Sequence, residues 1–593
     1  MSWWTGLAST TDTPSLGAAT AAPTLSEPAG ARGPRRPARR FGAFLATEAG
    51  LPWLAAAVLI AGGVLAPVAT LFWYASRGSF EHWRHLLDHV LPQAFLNTSL
   101  LLAGVAVLVT ALGVGAAWLI TAYRFPGRSV LSWALLLPLA VPTYIVAFAY
   151  LDILHPIGPV QTLIRDLLGY SSPREFRLPD LRSLPGAIVL LGFVLYPYVY
   201  LSTRIMFATQ SASLLEAARI LGESGRGVFF RVALPMARPA IAVGVSLALL
   251  EALNDIGASE FLGVQTLTVS VYTTWVTRND LAGAAQIALA MLAMVALLIM
   301  LERRGRKRQR YASNLRARPV QPRQLRGLRA AGAAALGWAP VVIGFIGPAL
   351  YLCGETFKHL ALAGSVSDQL LASAVNTLKV ALLATFFTLL CGLVAAWAAR
   401  SVRHSDRPNL ARVCARIATS GYAIPGTVLA IGLLAPLIAF DGLLSTIWSR
   451  LTGADPALWL MGSVGALVCA YVIRFLAISV GGMESGLARI PPSLEQAARL
   501  LGESPAGTLR RIHLPLLRPA IGAAGLLVFV DAMKELPATL LLRPAGFETL
   551  ATWLYAEASR GTYEEGAVAA LAIVLAGLLP VVLLARTQLK PAY

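Results

Sequence analysis

The chain has 593 residues, 56% of them hydrophobic and only 13% charged, too little charge to cover the surface of a soluble protein of that length. Its formal net charge of +19 invites a nucleic-acid reading, but the bases cluster beside apolar runs, which argues against nucleic acid as a partner. Four scattered cysteines, Cys353, Cys391, Cys414 and Cys469, form no CxxC and describe neither a disulfide framework nor a zinc site.

The N-terminal stretch 1–40 is rich in Ala, Pro, Thr and Arg, with five arginines in 32–40. This composition predicts a disordered, basic tail over 1–45. The tail does not read as a signal peptide, because its bases sit over thirty residues in and the first apolar run is long enough to remain a membrane helix. From residue 51 on, uncharged runs of about 18 or more residues recur, long enough to cross a bilayer. In lipid such runs are helical, because a helix satisfies each backbone amide within its own segment.

Spans are predicted near 51–74, 97–122, 130–154, 186–207, 239–258 and 281–301, and again near 331–353, 376–399, 417–440, 458–480, 519–537 and 566–585. The expected fold is an all-α integral membrane protein with about twelve transmembrane helices: a first domain over 46–301, a basic linker over 302–329 and a second domain over 330–593. The linker holds eleven arginines and lysines against the single acid Glu302. The loop 208–238 carries Arg219, Arg226, Arg231 and Arg238, and 400–416 carries five arginines, whereas 544–565 is acidic. This asymmetry predicts a cytoplasmic linker and two cytoplasmic termini.

The two halves are an internal repeat. EAARILGES at 216–224 matches QAARLLGES at 496–504, and LPMARPAI at 234–241 matches LPLLRPAI at 514–521, both at an offset of 280. Asn97-Thr98 matches Asn376-Thr377, and Ala117-Trp118 matches Ala396-Trp397, at an offset of 279. Six spans per half give both repeats the same orientation, so they form a parallel pair of six-helix units about the membrane normal.

The loop before the fifth span of each half has readable local chemistry. Ser213 with Glu216, and Ser493 with Gln496, have capping-box spacing. Gly222 and Gly502 then end a helix of about two turns. Ser224 and Ser504-Pro505 open a second short helix, which Pro235 and Pro515 are expected to break before Pro239 and Pro519 open the next span. The spacing Glu216-Ala217-Ala218, Gly222, Val232, Leu234, Pro235, repeated as Gln496-Ala497-Ala498, Gly502, Ile512, Leu514, Pro515, resembles the EAA loop of bacterial ABC import permeases. The resemblance implies a fold like the type I importers, and it implies that these loops are coupling helices docking onto two copies of an ABC ATPase subunit. The second copy departs from the family in having Gln496 for Glu.

No GxxxxGK[ST] occurs in the chain, so ATP is expected to be used by a separate partner, with no cofactor bound and no catalytic residue here. HExxH and GxSxG are also absent, which removes membrane protease and hydrolase readings. The stretches 531–555 and 571–584, and EALNDIG with FLGVQTLTVSVYTTW in 251–275, resemble the fused ferric-iron permeases. This implies a bacterial inner-membrane protein, fed by a periplasmic ferric-binding protein. Thiamine, phosphonate and polyamine permeases share the architecture and stay open as alternatives; a secondary transporter or channel is disfavoured by the paired loops. Glu251 and Asp531 are equivalent in the repeat, as are Asp255 and Glu535, and each half carries its pair at i, i+4, on one helix face. Carboxylates suit hard cations. The four acids either line the translocation path or bond to neighbouring helices and Lys534; no stable metal site is expected.

Overall fold

The computed structural model describes residues 51–78, 83–84, 86–209, 212–306, 322–401, 410–453, 455 and 458–588. The predicted tail 1–45 and the greater part of the predicted linker lie outside the described residues. Eleven of the described helices are long and apolar enough to cross a membrane, and Arg128–Ala140 with Thr143–Ile153, bent by 93° at their break, make a twelfth when the pair is counted as one span. The first half supplies Pro52–Ala75, Leu86–Ala122, the bent pair, Leu184–Ala208, Gly225–Asn254 and Leu281–Gly305. The second supplies Leu328–Ala363, Asp368–Arg400, Gly426–Thr452, Val464–Ala488, Ala506–Met533 and Tyr563–Leu583. Leu59, Val107, Leu350 and Phe386 on these helices are exposed, as expected of side chains that face lipid.

Several helices outrun their predicted bounds. Leu86–Ala122 begins well before residue 97, because Asp88, His89 and Gln93 make its first turns polar and hide them from an apolar-run reading. A break interrupts the third span of the first half and precedes that of the second. Val141 and Pro142 interrupt the first, and in the second Leu410–Ser420 ends in a turn at Gly421–Ala423 before Pro425 opens Gly426–Thr452. Proline and the restricted residue before it account for both breaks.

The fifth span departs in the opposite sense. Pro235 and Pro515 do not break a helix: Gly225–Asn254 and Ala506–Met533 are each continuous. Each passes through a π turn just before its proline, Val228–Ala233 and Leu509–His513. There the amide of Leu234 bonds the Phe229 carbonyl and that of Leu514 bonds the Leu509 carbonyl, five residues back. The wider turn makes room for a ring that would collide with the preceding turn of a regular helix. At their far ends these helices stop at Asn254 and Met533, short of the predicted 258 and 537.

Two compact units can be told apart. The larger comprises Gly63–Thr388, Ser420–Phe475 and Gly525–Tyr593; Phe148, Tyr196, Tyr200, Phe207 and Tyr471 are fully buried in it. Within it the repeat recurs in atomic detail. Thr98 accepts from the Leu267 amide at 2.9 Å and Thr377 from Leu550 at 2.8 Å, while Asn97 and Asn376 donate to the Gln265 and Glu548 carbonyls, both at 3.1 Å. A two-residue parallel ladder, Tyr123–Arg124 with Arg323–Gln324, ties the end of the linker to the loop after the second span. The smaller unit comprises the described residues up to Gly62, Leu389–Thr419 and Leu476–Ala524. Trp397, Met483, Leu487, Leu509 and Leu517 pack in one of its clusters, and Cys414 in another. All four cysteines are unbridged.

Candidate functional site

Each repeat carries a helix and a glycine turn directly ahead of the long helix of its fifth span. In the first, Ala212–Ile220 ends at Gly222, whose φ is +89°. In the second, Pro492–Leu500 ends at Gly502, with φ +82°. Nothing lies within 4 Å of a Cβ built at either glycine, so backbone conformation is what requires glycine there. Ser224 accepts from the Gly227 amide at 3.2 Å and Ser504 from Gly507 at 3.1 Å, each capping the next turn. Glu223 pairs with Arg231, and Glu503 with Arg511, across that turn.

The capping boxes stand differently. The Ser213 side chain lies outside the described residues. Ser493 sits inside the first turn of Pro492–Leu500, because Pro492 already takes the opening position, and both Ser493 and Gln496 are exposed. Glu216 and Ala217 are exposed and Ala218 is buried, as are their counterparts Gln496, Ala497 and Ala498. Leu234, Pro235 and Leu514 are half-buried and Pro515 is exposed.

Sequence reasoning missed the most conspicuous side chains of these loops. Ile220 and Leu221 are 86% and 84% exposed, and their equivalents Leu500 and Leu501 are 89% and 85% exposed. Two adjacent bare aliphatic groups beside a glycine turn, each more exposed than Leu214, Phe230 or Leu494 of the same loops, form a surface suited to a protein partner. The signal was present as ARILGES and ARLLGES, where both apolar residues directly precede the glycine turn.

The four predicted acids meet in one place, though not as predicted. Glu251 and Asp531 lie on helices, whereas Asp255 and Glu535 lie beyond the helix ends at Asn254 and Met533, so neither pair shares a helix face. All four nevertheless line one cavity of about 110 Å³ within the larger unit. The cavity sits where four breaks converge: Val141-Pro142, Tyr422 in the turn before Pro425, Asp255-Ile256 and Glu535-Leu536 all line it. Irregular backbone at membrane depth is tolerated where it lines a cavity, and a proline-broken span is the usual means.

Its polar groups are tightly arranged. Glu251 accepts from the Tyr422 hydroxyl at 2.9 Å. Asp531 pairs with Lys534 at 2.9 Å, and Glu535 with Arg474 at 3.0 Å. Asp255 accepts from the Ala258 amide at 2.9 Å through Oδ1, while its Oδ2 and the Oδ1 of Asn254 are buried without a protein partner. Tyr144 donates to the Lys534 carbonyl at 3.4 Å. A Cβ at Gly426 would stand 2.8 Å from Glu535 Oε1 and 2.9 Å from Arg474 Nη1, so any larger residue there would make this ion pair shift. Tyr144, Tyr422 and Arg474 were not anticipated; each is remote in sequence from the acids it serves. Among the described residues no group of three or more His, Cys, Asp or Glu is arranged to hold a metal ion.

Comparison with known proteins follows the same division into halves. The chain matches the binding-protein-dependent transport system inner membrane component family twice, over residues 109–311 and 389–592. It is 25% identical over 508 residues to the Fe(3+)-transport system permease protein FbpB 2 of Haemophilus influenzae, a match covering 83% of this chain and 90% of that protein. It is 31% identical over 235 residues to the putative 2-aminoethylphosphonate transport system permease protein PhnV of Salmonella typhimurium, covering 39% of this chain and 80% of PhnV. The molybdenum transport system permease protein ModB of Escherichia coli is 30% identical over 195 residues, 32% of this chain and 82% of its own length.

Proposed function

We propose, on the premise that this chain belongs to the binding-protein-dependent transport system inner membrane component family, that it is the ferric-iron permease of an ATP-driven importer. It takes the ion from a periplasmic binding protein, and its two EAA-like loops dock onto two copies of a separate ATPase subunit. Both termini and the linker lie on the cytoplasmic side, where the basic loops put them. The observation that carries the cargo assignment is the cavity, where four carboxyls meet two bases, Arg474 and Lys534. Oxygen donors in formal excess suit a hard cation, whereas a phosphonate or molybdate path calls for the reverse balance. The Fe(3+) permease FbpB 2 of Haemophilus influenzae aligns along 83% of the chain, which supports the same choice.

The continuous fifth helices give the proposal its mechanics. In the first repeat one helix of 30 residues, Gly225–Asn254, runs from beside the Gly222 turn past Glu251 at the cavity wall. At about 1.5 Å per residue this is a rod of roughly 45 Å. A push delivered at the start of this rod reaches the cavity along one continuous helix. Tyr422 on Glu251 and Tyr144 on the Lys534 carbonyl join the halves across the cavity, and they are the contacts such a push would part. The test is uptake into vesicles holding the permease and its ATPase, with the binding protein outside. Ferric iron should enter only with ATP inside and in contact with the ATPase. Uptake of 2-aminoethylphosphonate or molybdate, with none of ferric iron, would overturn the cargo assignment; ferric uptake without the ATPase would overturn the ATP-driven reading.

A further inference from the structure

The two loops share a sequence pattern but are fastened by different chemistry. In the second, Arg400 closes the Asp368–Ser401 helix and is buried. Its Nε donates to Glu495 Oε1 at 2.5 Å, its Nη2 to the Ile490 carbonyl at 2.8 Å, and its Nη1 to the Leu487 carbonyl. Glu495 Oε1 also lies 3.0 Å from His513 Nε2. The His513 ring is fully buried, reaches the Thr508 carbonyl through Nδ1 at 3.2 Å, and has the Trp397 ring edge-on at 4.7 Å. One guanidinium thus ties together the end of the second span of its half, the end of the fourth span with the turn after it, and the first turn of the loop helix. The imidazole ties that loop helix to the π turn that opens the fifth span.

The first repeat does not carry these three side chains. The residues equivalent to Arg400, Glu495 and His513 are Thr121, Leu215 and Ala233, at offsets of 279 and 280. Thr121 bonds only within its own helix, to the Ala117 carbonyl at 2.8 Å. Leu215 and Ala233 are buried. Trp118, the equivalent of Trp397, packs against Phe207 at 5.3 Å and Phe229 at 5.1 Å. An apolar niche fills the place of an ionic one. Apolar contacts are non-directional and allow sliding, whereas a guanidinium with three fixed acceptors holds one geometry. Burial alone would raise the Glu495 carboxyl, but its bonds to Arg400, with His513, outweigh that and hold it below the usual carboxylate range.

We infer that Arg400, Glu495 and His513 are positioning residues that lock the second docking loop to its membrane helices, and that the first loop, with Thr121, Leu215 and Ala233 in their places, is held less rigidly. The two loops then transmit the ATPase stroke unequally, with the second as the strut. The inference rests on the docking-loop reading above. It also explains the departure from the EAA pattern: with Glu495 turned inward to make the lock, the exposed neighbouring position is left to the neutral Gln496.

The test installs the first repeat's own residues in the second. Arg400→Thr, Glu495→Leu and His513→Ala made together remove the lock and leave no unpaired buried charge. In vesicles with ATPase and binding protein, the ATP hydrolysed per ion delivered should rise by about five-fold, the low end of ordinary coupling energies, with ATPase activity retained. Thr121→Ala in the first repeat should leave that ratio unchanged. In the wild-type assembly without nucleotide, amide exchange over 493–500 should be about ten-fold slower than over 212–220, as befits a locked segment. A wild-type ratio in the triple variant, or equal exchange in the two loops, overturns the inference. Gly502→Asp separates the premises. If it abolishes transport while the triple variant behaves as wild type, only the lock fails; if Gly502→Asp transports normally, the docking-loop reading fails.

Discussion

The docking surface can be tested at two side chains. Leu500 and Leu501 are 89% and 85% exposed, and under the proposed function they are covered only when the ATPase binds. Leucine to alanine removes three carbons. At about 0.8 kcal/mol per buried methylene, each truncation should cost roughly 2 kcal/mol of docking energy if the site is fully covered. That is about thirty-fold in Kd for either residue. The double variant should approach, without reaching, the roughly thousand-fold product, because adjacent side chains are not independent. Alanine is at least as good a helix former as leucine, so Pro492–Leu500 itself should not suffer. The assay is titration of purified ATPase onto the permease in lipid discs, with Leu328→Ala as the control; Leu328 is 91% exposed but far along the chain. A change in Kd under about three-fold for Leu500→Ala with Leu501→Ala would refute the reasoning, because a covered leucine pair cannot be lost that cheaply.

Three further outcomes are expected. Gly222→Asp or Gly502→Asp should leave the protein in the membrane but abolish ATP-driven uptake, since a residue with a Cβ resists φ values of +89° and +82° by about 1–2 kcal/mol and the added charge enters the docking surface; normal ATPase stimulation in an assembled variant would contradict this. Glu251→Gln combined with Asp531→Asn should lower ferric uptake more than either change alone, measured at matched expression, and a double variant that transports like wild type would make these acids structural. Reporter fusions in the linker 302–329 and after Arg560 should report opposite sides of the membrane, and identical reports would invert the proposed topology.

Length and apolarity made the spans legible, and the repeat gave their pairing. What stayed hidden were features that apolar runs do not encode. The helix breaks at Pro142 and Pro425 fall inside uninterrupted apolar stretches, so the span count survived while the bend did not show. Conversely, Pro235 and Pro515 looked like helix ends, and π turns at Val228–Ala233 and Leu509–His513 absorbed them; a proline announces a lost hydrogen bond without saying how the backbone will replace it. The glycine turns were read correctly because a positive φ leaves a single-residue signature. The acids were found as equivalent positions, but their partners Tyr422 and Arg474 are tertiary neighbours, and no local pattern marks them.

The repeat also shows which features the two halves keep and which they divide. The carboxyls are duplicated: Glu251 with Asp531, and Asp255 with Glu535. The bases are not. At the positions equivalent to Arg474 and Lys534 the first half has Val194 and Asn254, and both line the cavity. The second wall therefore neutralises its own acids through two ion pairs. The first wall holds Glu251 by a tyrosine hydroxyl and has no base of its own at these two positions. Under the ferric reading this imbalance has a purpose. Four equal, uncompensated carboxylates around a trivalent ion would make a trap, and a path must bind weakly enough to release. One compensated wall opposite one open wall gives the ion a place to pause and a side from which to leave.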